Sequence, residues 1–216
     1  MNLKYYYWYF QSALPKSFCN DLIKYGNEKQ EETALTGGYK AKSDKGQTLS
    51  ETELKDLKKK RDSNIVWLNE PWVYSEIHPY VYQANENAGW NFQWDWSESC
   101  QFTKYKKDQY YGWHCDSWDE PYNDPKNKNF YGKIRKLSVT CVLSEPDDYE
   151  GGELEFDFGT QEPDGKHNIR TCTEIKSQGS LVVFPSFVKH RVKPVTKGTR
   201  YSLVIWNLGQ PYKWLL

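Results

Sequence analysis

The chain has 216 residues, enough for one core-bearing domain. Only 38% of residues are hydrophobic, so ten Trp and seventeen Tyr must supply much of the buried area. Twenty-nine basic and 29 acidic residues cancel, which argues against a nucleic-acid binder driven by excess Lys and Arg.

Residues Met1–Phe10 are rich in Tyr and Trp and lack the apolar run and small-residue cleavage site of a secretory leader. No stretch reaches membrane-spanning length. Residues 1–89 read as mostly helical support. Phe18, Leu22 and Ile23 fall at helical spacing after Pro15, with Ser17 as the expected N-cap. The polar stretch Glu28 to Gly46, containing Gly37-Gly38, reads as a loop. Ser50 and Glu53 have capping-box spacing and predict a short helix, ending in a solvated basic run from Lys58 to Arg61. Pro71 opens another helix carrying Val73 and Ile77; Pro79 should kink it or start a second helix running to Asn87.

From Trp90 the period changes to two. Leu137, Val139, Cys141 and Leu143 alternate with Ser138, Thr140 and Val142. After Gly151-Gly152, Leu154, Phe156 and Phe158 alternate with Glu153, Glu155 and Asp157. Leu181–Pro185 and Arg200–Asn207 are further strands, and Cys100–Tyr105 and Tyr110–Asp116 are β-prone. Many short strands separated by turns predict a mainly β fold, a double-stranded β-helix (jelly roll) over 90–216 with the N-terminal helices packed on one side. No repeat interrupts the chain, so 1–216 reads as one domain. The five cysteines, Cys19, Cys100, Cys115, Cys141 and Cys172, form no C-x-x-C pair. Reduced thiols and a cytoplasmic location are expected.

His114-Cys115-Asp116 lies in a β-prone segment, where residues i and i+2 share a face. One imidazole and one carboxylate would then project together, with Cys115 pointing away. A lone H-x-D is a weak signal, since a surface His–Asp pair arises often by chance. His190, after a buried-looking strand, can supply a third ligand. Two His and one carboxylate leave open positions on iron(II), the arrangement of non-haem oxygenases. Arg200 follows ten positions later, across a turn marked by Lys197-Gly198, and can face the same cavity in an antiparallel pair with His190. Alternation puts Arg200, Ser202, Val204 and Trp206 on one face. A buried guanidinium needs an anionic partner. A dicarboxylate would serve, with Ser202 adding a bond; an internal pair to Glu153 or Asp157 is the plainer alternative.

H-x-D, a distal His and an Arg ten residues on resemble the iron(II)/2-oxoglutarate dioxygenases, closest to the prolyl 4-hydroxylase-like branch of bacteria and phages. Tyr105, Tyr111 and His114 match its Y-x5-Y-x2-H spacing. Gly151-Gly152-Glu153-Leu154 and Arg200 to Trp206 resemble its middle and final strands, and Pro15–Ile23 and Arg61–Leu68 its N-terminal section more loosely. The resemblance implies iron(II) on His114, Asp116 and His190. It implies 2-oxoglutarate held by Arg200, Ser202 and Tyr105, with Trp206 near the metal. It also implies oxygen as the oxidant, with ascorbate as an accessory reductant. Asp108 stands where the branch often has Gly, which puts the turn before His114 in doubt. Related halogenases lack the carboxylate that Asp116 supplies, which favours hydroxylation.

A prolyl residue in a peptide or protein is the substrate that the resemblance suggests; a free amino acid or other small molecule is the alternative. Trp113, Trp118 and Tyr122 could wall a ring, although packing explains any one of them as well. The irregular stretch from Trp118 to Tyr131 reads either as a lid or as a plain connection. The expected partners are substrate alone, without membrane or nucleic acid, for a monomer or homodimer. A non-catalytic metal-binding jelly roll is the rival from another class. A cupin-like isomerase would need more histidines near His114. His78 and His167 are expected in surface or satisfied structural roles.

Overall fold

The computed structural model describes residues 3–35, 43, 46–118, 120–160 and 166–212. Among the described residues the longer helices are α1 (Lys16–Asn27), α2 (Glu51–Lys58) and α3 (Pro71–Asn87). The strands in the N-terminal part are β1 (Trp8–Phe10), β2 (Glu32–Thr33), β3 (Arg61–Asp62) and β4 (Asn64–Leu68). Next come β5 (Trp96–Ser97), β6 (Cys100–Tyr105), β7 (Tyr110–His114), β8 (Ile134–Val142) and β9 (Tyr149–Gly151). The last are β10 (Leu154–Thr160), β11 (His167–Thr171), β12 (Leu181–Pro185), β13 (Lys189–Val192), β14 (Val195–Gly198) and β15 (Arg200–Gly209).

These strands form two antiparallel sheets and a two-stranded ribbon. The major sheet runs β1-β12-β8-β15-β6-β4-β2, with β5 also on β15. The minor sheet runs β11-β10-β13-β7-β3, and β14 pairs β9. Both sheets draw strands from the N-terminal part, so 1–89 is less helical than its pattern predicts. β1 covers one edge of the major sheet beside β12, and β3 extends the minor sheet beside β7. Two- and three-residue strands offer too few alternations to stand out in a sequence.

Two apolar clusters explain the layers. Leu22 of α1 and Val73, Ile77 and Val81 of α3 pack on Phe102, Leu137, Val139, Cys141, Leu203 and Ile205 of the major sheet. The helices therefore lie on one face of it, as expected. Val142, Leu154, Phe156, Val182, Phe184 and Val192 fill the space between the two sheets. β8 is thus covered on both faces, which is why its sequence is apolar or small from Leu137 to Val142.

Several local expectations need correction. α1 starts at Lys16 with Pro15 at the N-cap and no side-chain cap, so Ser17 lies inside the first turn. α3 runs as one helix through Pro79, which removes the second-helix alternative. The capping box is present: Ser50 Oγ accepts from the Glu53 N–H, and Glu53 accepts from the Ser50 N–H. α2 stops at Lys58, and Arg61 is buried rather than solvated. Of the loop predicted at Glu28–Gly46, residues 36–42 and 44–45 lie outside the described residues. Among the described residues, no helix is long and apolar enough to cross a membrane.

Candidate active site

β7 and β13 are neighbours, and their register sets His114 directly opposite His190. Both imidazoles enter the space between the sheets. β7 ends at His114, so Asp116 sits two residues beyond the strand rather than on it. Its N–H donates to Ser186 O at 2.9 Å, which turns the carboxylate back toward the histidines. One ligand atom from each of His114, Asp116 and His190 lies within 4.8 Å of the others. His114 Nε2 is 3.6 Å from Asp116 Oδ1, and His190 Nε2 is 3.5 Å from Asp116 Oδ2.

The backbone sets the tautomers. His114 Nδ1 lies 2.8 Å from Gly112 O, and His190 Nδ1 lies 2.9 Å from Val188 O. A carbonyl only accepts, so each Nδ1 carries a hydrogen and each Nε2 is left facing the shared space. Burial, helped by His114, lowers the His190 pKa to about 4, so that ring is neutral at pH 7. Burial would raise the Asp116 pKa, but His190, the hydrogen bond and charge of His114, and Arg135 together hold it well below the carboxylate range. Two imidazoles and one carboxylate around one enclosed space make a donor set that fits iron(II).

Arg200 opens β15 opposite Tyr105 of β6, and Ser202 faces Thr103. Arg200 is 2% exposed, and its Nη1 donates to Ser202 Oγ at 3.0 Å. Among the described residues it forms no ion pair. Glu153 pairs with Lys193, and Asp157 with Lys189 and His167, which removes both carboxylates as internal partners. His114, Asp116, His190, Tyr105, Arg200, Ser202, Val204 and Trp206 all line one small cavity of about 30 Å³. Trp206 Nε1 is buried there without a hydrogen-bond partner, a donor left for an incoming acceptor.

His190 and Arg200 do reach one cavity, but not as a hairpin. Residues Val195–Gly198 form their own strand on β9, so β13 and β15 fall in opposed sheets and face each other across the interior. Asp108 takes φ +68°, a left-handed geometry that Asp tolerates better than most residues, and so replaces the familiar Gly. Trp113 is no cavity wall: it faces outward under the Lys189 and Arg191 cations. His78 bonds Ser97 Oγ and His167 bonds Asp157. Cys115 is exposed and points away from the cavity.

Other neighbours of the site escaped the motif reading. Gln101, Thr140, Leu154 and Val192 also line the cavity. Gln101 and Thr103 alternate with Tyr105 along β6, a spacing that signals them. Tyr111 stacks on His114, centroids 3.5 Å apart, and the Arg61 guanidinium lies 4.4 Å from the Tyr111 ring. That contact and a bond to Ser63 hold Arg61 inside.

The sequence profile of the 2OG-Fe(II) oxygenase superfamily matches residues 100–207, half of the chain. The chain belongs to that superfamily. Its matched region contains the His–Asp–His cluster and Arg200. A PKHD-type hydroxylase of Shewanella sp. (strain MR-7) is 36% identical over 106 residues, covering 49% of this chain and 40% of that one. Another PKHD-type hydroxylase, from Gloeothece citriformis, is 36% identical over 108 residues, 50% of this chain and 41% of the other. The chain thus spans about two fifths of the length of these relatives. The viral collagen prolyl hydroxylase of Paramecium Bursaria Chlorella virus-1 shares the fold with TM-score 0.61 at 18% identity, covering 95% of this chain and 97% of the viral chain. A Trichoplax adhaerens prolyl hydroxylase, solved with a hypoxia inducible factor peptide fragment, gives 0.59 at 16% identity over 94% and 84% of the two chains.

Proposed function

We propose that this chain is an iron(II)- and 2-oxoglutarate-dependent hydroxylase acting on a prolyl residue in a peptide or protein. The observation that carries the enzymatic part is Arg200. A guanidinium that is 2% exposed, without a carboxylate partner among the described residues, lines the same cavity as two imidazoles and a carboxylate. Leaving it unpaired is costly, so the site is built to receive an anion beside a metal. The prolyl part rests on the relatives, which are named PKHD-type hydroxylases, and on prolyl hydroxylases of like fold.

His114, Asp116 and His190 would hold iron(II), which with 2-oxoglutarate and oxygen supplies the oxidising chemistry. Arg200 would hold the distal carboxylate of the co-substrate, a role that its planar guanidinium suits. Ser202 Oγ orients that guanidinium through its bond to Nη1. Tyr105, 3% exposed and opposite Arg200, closes the same end of the cavity. Phe156 and Phe184 pack near His190 and keep water from the ring, which holds Nε2 unprotonated. We place the protein in the cytoplasm, because all five cysteines are free thiols, and read 1–216 as one catalytic domain.

Incubation of the protein with iron(II), 2-oxoglutarate and a panel of prolyl peptides and free amino acids tests the reading. Succinate should form, and a prolyl peptide should gain one oxygen by mass spectrometry. His114→Ala and Asp116→Ala should make neither product. Absence of succinate from wild-type protein, with metal affinity untouched by His114→Ala, would end the enzymatic proposal. Oxygen gained only by free amino acids would move the substrate to the small-molecule class.

A further inference from the structure

Behind the cavity lies a charged cluster that the metal site does not explain. Glu98 is 6% exposed, and the Arg135 side chain 11%. Arg135 Nε and Nη2 both donate to the Glu98 carboxylate at 2.6 Å. The same guanidinium reaches three further groups. Its Nη1 donates to the backbone oxygen of Asp116 at 3.3 Å. Its centre lies 3.9 Å from the Trp206 ring, which lines the cavity, and 5.2 Å from the Trp118 ring. Glu98 Oε1 also accepts from Tyr122 Oη at 2.9 Å.

Trp118 and Tyr122 belong to the connection between β7 and β8, the segment that directly follows the metal-facing carboxylate. Tyr122 is also where that loop closes on itself. Its N–H donates to Lys133 O, its carbonyl accepts from Gly132, and Lys133 N–H donates to Phe130 O. Trp118 and Phe130 each meet the Tyr122 ring edge-on at 5.2 Å. A bidentate pair withdrawn from water is a costly way to gain stability alone. Here it is shared between the loop on one side and the Asp116 backbone and Trp206 on the other.

We propose that Glu98 and Arg135 form a positioning unit that latches the β7–β8 loop beside the site through Tyr122 and Trp118, and ties that latch to the placement of Asp116. Neither residue touches iron or co-substrate; Arg135 acts through the Asp116 backbone and the Trp206 ring, and Glu98 acts through Arg135. The inference rests on reading His114, Asp116 and His190 as the metal site. Loosening the loop end should leave the metal site intact, whereas loosening the arginine should disturb both.

Two measurements on the purified full chain test this without turnover: amide hydrogen exchange in the metal-free protein, and titration with Mn(II). Tyr122→Phe keeps the ring and removes the bond to Glu98. It should speed exchange of the Tyr122, Gly132 and Lys133 amides about tenfold, the loss expected for a hydrogen bond to a charged acceptor, with Mn(II) affinity within twofold of wild type. Arg135→Lys keeps the charge, but one ammonium cannot serve Glu98, the Asp116 carbonyl and Trp206 together. It should speed the same amides and weaken Mn(II) binding roughly tenfold, as loss of groups that orient a ligand does. Amides of β8 such as Val139 should keep their protection in both variants. If Arg135→Lys loses that protection, the apolar pair Glu98→Leu with Arg135→Met replaces it, with the same outcome expected. Wild-type exchange in Tyr122→Phe overturns the latch, and so does unchanged Mn(II) affinity in the arginine variant. Expected loop and metal responses in a protein that makes no succinate would instead sink the hydroxylase reading and leave the latch standing.

Discussion

Arg200 packs so closely against Gly152 that a side chain there would displace it. A Cβ at Gly152 would stand 2.8 Å from Arg200 Cδ and 3.0 Å from Val195 Cγ2, and its φ of +67° suits glycine. Gly152→Ala should therefore act like a mild Arg200 variant. Both Gly152→Ala and Arg200→Ala should raise the 2-oxoglutarate concentration needed for half-maximal succinate formation, Arg200→Ala by tenfold or more. Mn(II) affinity should survive in both, and a parallel loss of metal binding would make Arg200 a structural residue. Asp157 gives a second test, on the outer side of the minor sheet. Burial would raise its pKa, but hydrogen bonds from His167, Lys189 and the Gly159 N–H bring it down to about 2 from 3.8. A folded pKa below the unfolded one adds stability that is complete above the unfolded value and is lost as pH falls through the folded one. Asp157→Asn should thus lower the melting temperature at pH 7, and the gap should close between pH 4 and pH 2. A gap that stays constant across that window would show that the bonds do not depend on the carboxylate charge.

At the scale of elements, α1 reaches the major sheet through Gly26. A Cβ there would lie 2.6 Å from the Phe102 ring, so Gly26→Ala should push helix and strand apart and cost about 1–3 kcal/mol in chemical denaturation. Melting within error of wild type would mean that the helix shifts freely on the sheet. Much of this framework is legible in the sequence. Cys100–Tyr105 and Leu181–Pro185 coincide with β6 and β12, since alternation marks the first and an unbroken apolar run the second. The H-x-D motif and the arginine ten residues after His190 are legible because the proposed metal and diacid would demand those residue types. Other features depend on partners far along the chain. β3 and β4 follow a lysine run that masks them, and Arg61 becomes buried only through Tyr111 and Ser63. The role of Arg135 is hidden by an irregularity in the β8–β15 register, where Asn207 faces Leu137 but Leu208 faces Arg135. One skipped residue reverses which face each side chain takes, so period two fails at that point.

For the whole molecule, the two sheets are joined by their apolar filling and by the site itself. β7 and β13 bring the histidines from the minor sheet, and β15 brings Arg200 from the major one. Ligands that bridge both should stabilise the complete fold, since binding to the native state alone adds about 2.7 kcal/mol at a hundredfold excess over Kd. Mn(II) with 2-oxoglutarate should therefore raise the melting temperature by roughly 5–10 °C in a chain of this size. His114→Ala should abolish most of that gain. An equal shift in the variant would place the metal elsewhere. The surface carries one more consequence. Four of the five sulfurs are enclosed, and the fifth, Cys115, sits outward between His114 and Asp116. A maleimide dye would thus attach at a single address, one peptide unit from each of two would-be ligands. Its emission would dim when a paramagnetic ion arrives, turning the protein into its own gauge of metal loading.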